Sequence, residues 1–278
     1  MSRAIFGQCP WITTAKILLA AAALGATGAA AQEPEKPSLG DWHISGTAGV
    51  LESNGSYGTP INTNVLLGLS SLSLSNDEFK FTASIPYMRI SGRGLVVFDA
   101  SGNPIVINRR TNLPPDTRTG WGDLMLSASY TIPAMILSGF EMRLSGIVKV
   151  PTAPARRRLS TGEADAGMSV DVSRHFGAWT PFLTVGYMHR GEPAGFTLYD
   201  TTSVSAGGSY EISSNLVAVA SYDFDSADSP LVPGGHGLFG SLTWIRDDHW
   251  TLTGYGTAGL SAGSPDVGAG LLVSYGLN

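Results

Sequence analysis

Polar and apolar residues alternate along most of this chain, most clearly in the run 163–175. Odd positions there carry Glu163, Asp165, Gly167, Ser169, Asp171, Ser173 and His175, while even positions carry Ala164, Ala166, Met168, Val170 and Val172 before Arg174 breaks the pattern. Successive side chains of a strand point to opposite faces, so this run has one acidic face and one small apolar face. Similar alternation extends from Phe79 to Phe224 and is weakest in the second segment, 61–74. No segment shows a sustained 3.6-residue apolar period. The pattern predicts about twelve strands, near 41–51, 61–74, 78–90, 120–132, 139–151, 162–175, 179–190, 200–213, 215–226, 237–246, 249–260 and 265–276.

The connections alternate in length. Tight ones fall at 76–77, 133–138, 176–178, 214 and 247–248, and longer ones at 52–60, 91–119, 152–161, 191–199 and 227–236. Short turns at one end and long loops at the other suit an outer-membrane barrel, whose strands span about 9–11 residues. A soluble sandwich has no need of this bias. Aromatics follow the same plan. Trp42, Tyr130, Trp179, Tyr210, Trp244, Trp250 and Tyr275 fall near the short-turn ends, and Tyr87, Trp121, Tyr187 and Tyr222 near the long-loop ends. Tyr and Trp favour the two membrane interfaces. The expected fold is therefore all-β, a transmembrane antiparallel up-and-down barrel over 41–278.

Parity then assigns faces. Phe79, Phe81, Ile85, Leu124, Leu126, Ala128, Met142, Leu144, Val148, Leu183, Val185, Leu216, Ala218, Ala220, Leu271 and Val273 are expected to face lipid. Asp123, Arg143, Lys149, Asp165, Asp171 and Arg190 are the lumen-lining candidates, with Glu78, Lys80, Glu141, Glu163, Glu211, Asp223 and Asp225 on the same side. A hairpin centred on 152–161 sets Lys149 beside Asp165 and Arg143 beside Asp171, with Asp123 beside Lys149 and Arg190 near Asp165. These pairs either seal the wall or form a charged constriction that selects solutes. Arg109 and Arg110 in one long loop, and Arg156, Arg157 and Arg158 in the next, form a candidate basic mouth. It suits anionic solutes or the phosphates of lipopolysaccharide. Loop 91–119 also holds Arg93 and Arg118. It is long enough to fold inward as its own hairpin, 95–98 against 105–107, and is the candidate gate.

Composition sharpens the picture. Charged residues make up 14% of the chain and glycines number 35, which suits closely packed strands better than helices. Arg3 and Lys16, the apolar stretch 17–26 and Ala29-Ala30-Ala31 read as a cleaved secretory signal over 1–31, followed by a periplasmic linker over 32–40. Cys9, the one cysteine, falls inside that signal, so no disulfide or thiol chemistry is expected beyond it. Of the 17 Lys and Arg residues two lie in the signal, leaving 15 against 22 acidic residues. Nucleic acid is not an expected partner.

Three motifs carry a resemblance. These are Gly120-Trp121-Gly122-Asp123-Leu124, then Val148-Lys149-Val150-Pro151-Thr152, then Ser160-Thr161-Gly162 with Asp165-Ala166-Gly167. Over roughly 120–191 the chain resembles the outer-membrane transporter family named for the meta-pathway of phenol degradation. That resemblance implies a barrel passing aromatic or other small organic solutes, with outer-membrane lipids and the barrel assembly machinery as partners. Catalytic patterns are weak. The run 259–263 matches Gly-x-Ser-x-Gly and the run 254–259 matches Gly-x-Gly-x-x-Gly, both without a following helix. His189 near Thr201 and Ser203 would suit a lipid hydrolase only with an orienting carboxylate, and none is evident. No enzyme activity, cofactor or metal is expected. The alternatives are a closed structural or adhesive barrel and, more remotely, a lipid-modifying barrel enzyme.

Overall fold

The computed structural model describes residues 42–57, 62–92, 95–98, 104–108, 116–134, 136–154 and 157–277. The expected signal and the whole linker lie outside the described residues. Fifteen strands are described: β1 (His43–Gly55), β2 (Thr63–Ser75), β3 (Phe79–Gly92), β4 (Leu95–Phe98), β5 (Pro104–Asn108), β6 (Asp116–Trp121), β7 (Leu124–Ile132), β8 (Phe140–Val150), β9 (Asp165–Arg174), β10 (Trp179–His189), β11 (Thr201–Ser213), β12 (Leu216–Asp225), β13 (Gly235–Ile245), β14 (Trp250–Gly259) and β15 (Val267–Gly276).

Each barrel strand pairs antiparallel with its sequence neighbours, and β1 pairs with β15, so the sheet closes on itself. Closure leaves no unpaired edge in the bilayer, where an unsatisfied backbone group is costly. β6 and β7 together make one barrel strand. β6 pairs with the outer half of β3 and β7 with its inner half, with a break at Gly122-Asp123. Gly122 is forced there, because a Cβ would lie 2.6 Å from Met88 Cε and 2.8 Å from Pro86 Cγ. Counting that pair once, the described residues form a closed twelve-strand antiparallel barrel. β4 and β5 form a separate hairpin outside the barrel sheet.

Alternation explains the outer surface. Phe79, Phe81, Leu126, Leu144, Val148, Leu183, Val185, Leu271 and Val273 are all exposed on it. Phe79 packs on Tyr130 at 4.9 Å and Trp250 on Tyr275 at 4.7 Å near the short-turn end. Tyr87 meets Trp121 edge-on at 5.1 Å near the other end. An apolar belt with an aromatic pair of this kind at each rim is the surface of a lipid-facing barrel.

The short turns are locally encoded. Asn76 Oδ1 accepts the backbone N–H groups of Glu78 and Phe79, at 3.0 and 2.6 Å. Asp247 Oδ1 likewise accepts those of His249 and Trp250, at 2.9 and 2.8 Å. Both are Asx turns, in which a short polar side chain reverses the chain within a few residues. The two N–H bonds hold the Asp247 carboxyl below the usual aspartate range.

Two side chains expected on the inner face are not there. β3 starts at Phe79, so Glu78 lies in the short turn and is exposed to solvent. β9 starts at Asp165, so Glu163 lies in the preceding loop and is exposed to solvent instead of lining the interior. Thr161 and Ser160 cause this by turning the chain, accepting the N–H groups of Glu163 and Gly162. The interior is also not polar throughout. Leu51, Val65, Leu67, Leu69, Met88, Ile90, Met125, Leu159, Phe182, Val219, Phe239, Tyr255 and Leu272 form one buried apolar cluster on the inner faces and at the mouth.

Candidate functional site

The barrel interior has two unlike walls. On β1–β3, β14 and β15 the outer half of the inner face is apolar, with Leu51, Val65, Leu67, Leu69, Met88, Ile90 and Leu272. Phe239 and Tyr255 continue it, their rings stacked at 6.0 Å and 22°. Tyr255 lies flat against the wall because Gly270 opposite has no side chain; a Cβ there would lie 2.2 Å from the tyrosine oxygen. β2 is apolar on both faces, Leu66, Leu72 and Leu74 outward and Val65, Leu67 and Leu69 inward. That double character is why its alternation is the weakest in the sequence.

The other wall, on β7–β12, carries the charged ladder, interspersed with the buried apolar side chains of Met125, Phe182, Met188, Val217 and Val219. Arg143 and Asp171 stand opposite each other in register, as do Asp171 and Thr184, and Ser205 and Asp223. Thr184 donates to Asp171 Oδ1 at 2.5 Å, and Ser205 to Asp223 Oδ1 at 2.5 Å. Arg143 donates to Thr131 Oγ1 at 3.3 Å and lies 3.5 Å from Glu141 Oε1. Toward the short-turn end the first wall too becomes polar, with hydroxyl pairs Thr47 with Ser274 at 2.8 Å, Ser73 with Thr82 at 2.9 Å and Thr243 with Thr253 at 3.0 Å.

Asp123, Lys149 and Asp165 come together near the outer mouth. Lys149 Nζ lies 2.7 Å from Asp165 Oδ2 and 3.9 Å from Asp123 Oδ2, and donates to Thr161 Oγ1 at 2.9 Å. Each acid also takes a loop N–H, Asp123 from Ala153 at 2.8 Å and Asp165 from Gly191 at 3.0 Å, while Ser160 donates to Asp123. Their side chains are 3%, 1% and 1% exposed, too covered for a solute to touch. The cluster ties loops 152–161 and 191–199 to the rim. Arg190, also buried, stands at the end of β10 beside Gly191 and donates to Thr201 Oγ1 at 3.3 Å.

The mouth itself is filled by β4–β5. Val96 and Val106 lie opposite each other and pack with Tyr57, Leu231 and Val232. Val97 and Ile105, on the other face, pack with Phe196 and Leu198. Tyr57 bonds Ser53 Oγ at 3.1 Å, and burial pushes its phenol up to about 12. Arg118 on β6 donates to the carbonyls of Val96, at 3.1 Å, and Arg158. Beneath the hairpin is a cavity of about 30 Å³, lined by Tyr57, Val106, Arg190, Asp225 and Asp228 among others.

Of the candidate basic mouth, Arg109, Arg110 and Arg156 lie outside the described residues. Arg157 and Arg158 are exposed, and Arg157 donates to Thr119 O at 3.2 Å. His189 has an orienting carboxylate after all, Asp200, 3.0 Å from its Nδ1. Tyr187 and the Arg190 N–H also bond Asp200 and, with His189, draw its carboxyl down to about 2. Ser203, however, shares its strand face with inward-pointing Thr201 and Ser205, whereas His189 points outward. That serine and histidine are on opposite sides of the wall. Ser261 of the Gly-x-Ser-x-Gly run is engaged in loop structure, accepting the His236 N–H at 3.0 Å.

No protein-family model and no curated protein matches the chain. Solved structures do. The NanC porin aligns over 84% of this chain and 98% of its own, at 11% identity and a TM-score of 0.50. The toluene transporter TodX of P. putida aligns over 87% and 80%, at 13% identity and a TM-score of 0.44. The β domain of the Bordetella autotransporter BrkA aligns over 84% and 99%, at 10% identity and a TM-score of 0.48. At such identities the likeness shows the fold and nothing finer. This is an outer-membrane-type β-barrel fold.

Proposed function

We propose that the chain resides in the bacterial outer membrane, exported by a signal over 1–31, and passes small organic solutes, aromatic ones included, down their gradient. The observation that carries this is the split interior. A purely structural barrel has no need to face Leu67, Leu69, Leu272 and the Phe239–Tyr255 stack toward a polar ladder of Arg143, Asp171, Thr184, Ser205 and Asp223. Such a passage holds a ring against apolar side chains while polar substituents meet hydroxyls and charges on the other wall. The transport is passive and involves no catalysis. Lipopolysaccharide phosphates are the proposed partner of Arg157 and Arg158, and the barrel assembly machinery inserts the chain. The motifs at 120–167 agree with this reading through their resemblance to phenol-pathway transporters.

A closed structural barrel is the second reading, favoured by the hairpin buried in the mouth. Planar bilayers containing the purified protein separate the two. Addition of benzyl alcohol is expected to change the single-channel current, and an equal concentration of sorbitol to leave it unchanged. A membrane that stays silent with both favours the structural barrel.

A further inference from the structure

We infer that the β4–β5 hairpin is a plug displaced by solute, and that its seat is an apolar capture site at the outer mouth. The described side chains on its two faces are apolar and covered: Val96, Val97, Ile105 and Val106 are each at most 1% exposed. The seat has two sides, Phe196 and Leu198 on one and Tyr57, Leu231 and Val232 on the other. Yet among the described residues the hairpin pairs with no barrel strand. Among the described residues, the rim side chains that hydrogen-bond its backbone are Arg118, to Val96 O at 3.1 Å, and Ser229, to Val106 O at 3.4 Å. An isolated two-stranded hairpin is marginal in water, so this one owes its position to side-chain burial and can leave as a unit.

What replaces it in the seat is set by chemistry. Water and ions cannot cover apolar faces, so unseating into water is uphill. A small aromatic or aliphatic molecule can cover the same side chains and thereby offset that cost. The plug then stays shut to salts and polar metabolites and yields to apolar solutes, rising along the gradient that the passage serves. This rests on the passage proposed above.

The test is labelling of Val97→Cys by a membrane-impermeant maleimide on intact cells, in a Cys9→Ser background so that no other thiol is encoded. Exposed Arg157→Cys is the reference and ethylbenzene the probe. Burial of one valine-sized side chain corresponds to about tenfold in an opening equilibrium. Val97→Cys is therefore expected to react at least about tenfold more slowly than Arg157→Cys without probe, and to approach it when ethylbenzene is added. Leu198→Asn, which spoils one side of the seat, is expected to speed labelling of Val97→Cys without any probe.

Equal rates without probe overturn the plug. Protection that persists while the same cells take up ethylbenzene faster than cells lacking the chain overturns displacement by solute. Protection that persists with no such uptake overturns the inference and the passage together. Labelling that responds to ethylbenzene with no gain in uptake supports the plug and contradicts the passage alone.

Discussion

At the scale of single residues, the buried Asp123–Lys149–Asp165 cluster decides between two roles that the sequence leaves open. All three side chains are covered, and the loop bonds of the two acids show what they hold. We therefore assign them to the wall. Removing one partner of a buried ion pair typically costs about 3–5 kcal/mol. Asp165→Asn is expected to lower the free energy of unfolding, read from denaturant titration, by an amount in that range while the anion-to-cation permeability ratio stays unchanged. A changed ratio with unchanged stability would move the cluster into the solute path. Gly270→Ala makes a second residue-scale case. Its methyl would lie 2.2 Å from the Tyr255 oxygen and 2.7 Å from the Val50 carbonyl oxygen, so Tyr255 is displaced from the wall and the local β1–β15 pairing must shift with it. The expected readout is a loss of the benzyl alcohol response with the barrel still folded by its heat-modifiable gel mobility.

At the scale of elements, the strands are legible wherever the two faces differ in polarity. β9 and β10 alternate cleanly, and register follows from the loop centre: Lys149 pairs with Asp165 and Arg143 with Asp171, as the spacing implies. Parity alone is silent where both faces are apolar, which is why the inner wall formed by β2 was missed. The weak alternation of 61–74 was the available signal. The hairpin was readable from its two short apolar runs, but its partners Phe196, Leu198 and Val232 are brought in by loops with no periodic pattern. Asp200 was missed for the same reason, since only the closure of the 191–199 loop sets it against His189. Its bonds are those of a carboxylate, and its carboxyl is depressed to about 2 in the fold. The stabilisation is thus fully present above the unfolded aspartate range, near pH 4, and is lost as the pH falls through about 2. Acid titration is expected to loosen loop 191–199 between those values, read as faster proteolysis at that loop. Asp200→Asn should show the loosened loop already at neutral pH.

At the scale of the whole molecule, the lipid-facing belt and the closed sheet make a membrane barrel, and the divided interior is what the proposed passage for amphipathic solutes rests on. Neither property belongs to any one residue. The outer belt follows from alternation, while the inner apolar wall exists because closure brings β1 against β15 and so sets Leu51 and Leu272 beside Leu67 and Leu69. A chain read strand by strand shows the first and not the second.

The most direct measurement is uptake of a radiolabelled small aromatic by cells with a lipopolysaccharide-bearing outer membrane, with and without the chain and with the cells' own porins deleted. The expected result is faster initial uptake with the chain, unsaturable by sorbitol and competed by unlabelled aromatic. Uptake equal to that of cells lacking the chain, with the barrel folded in the membrane, would contradict the account.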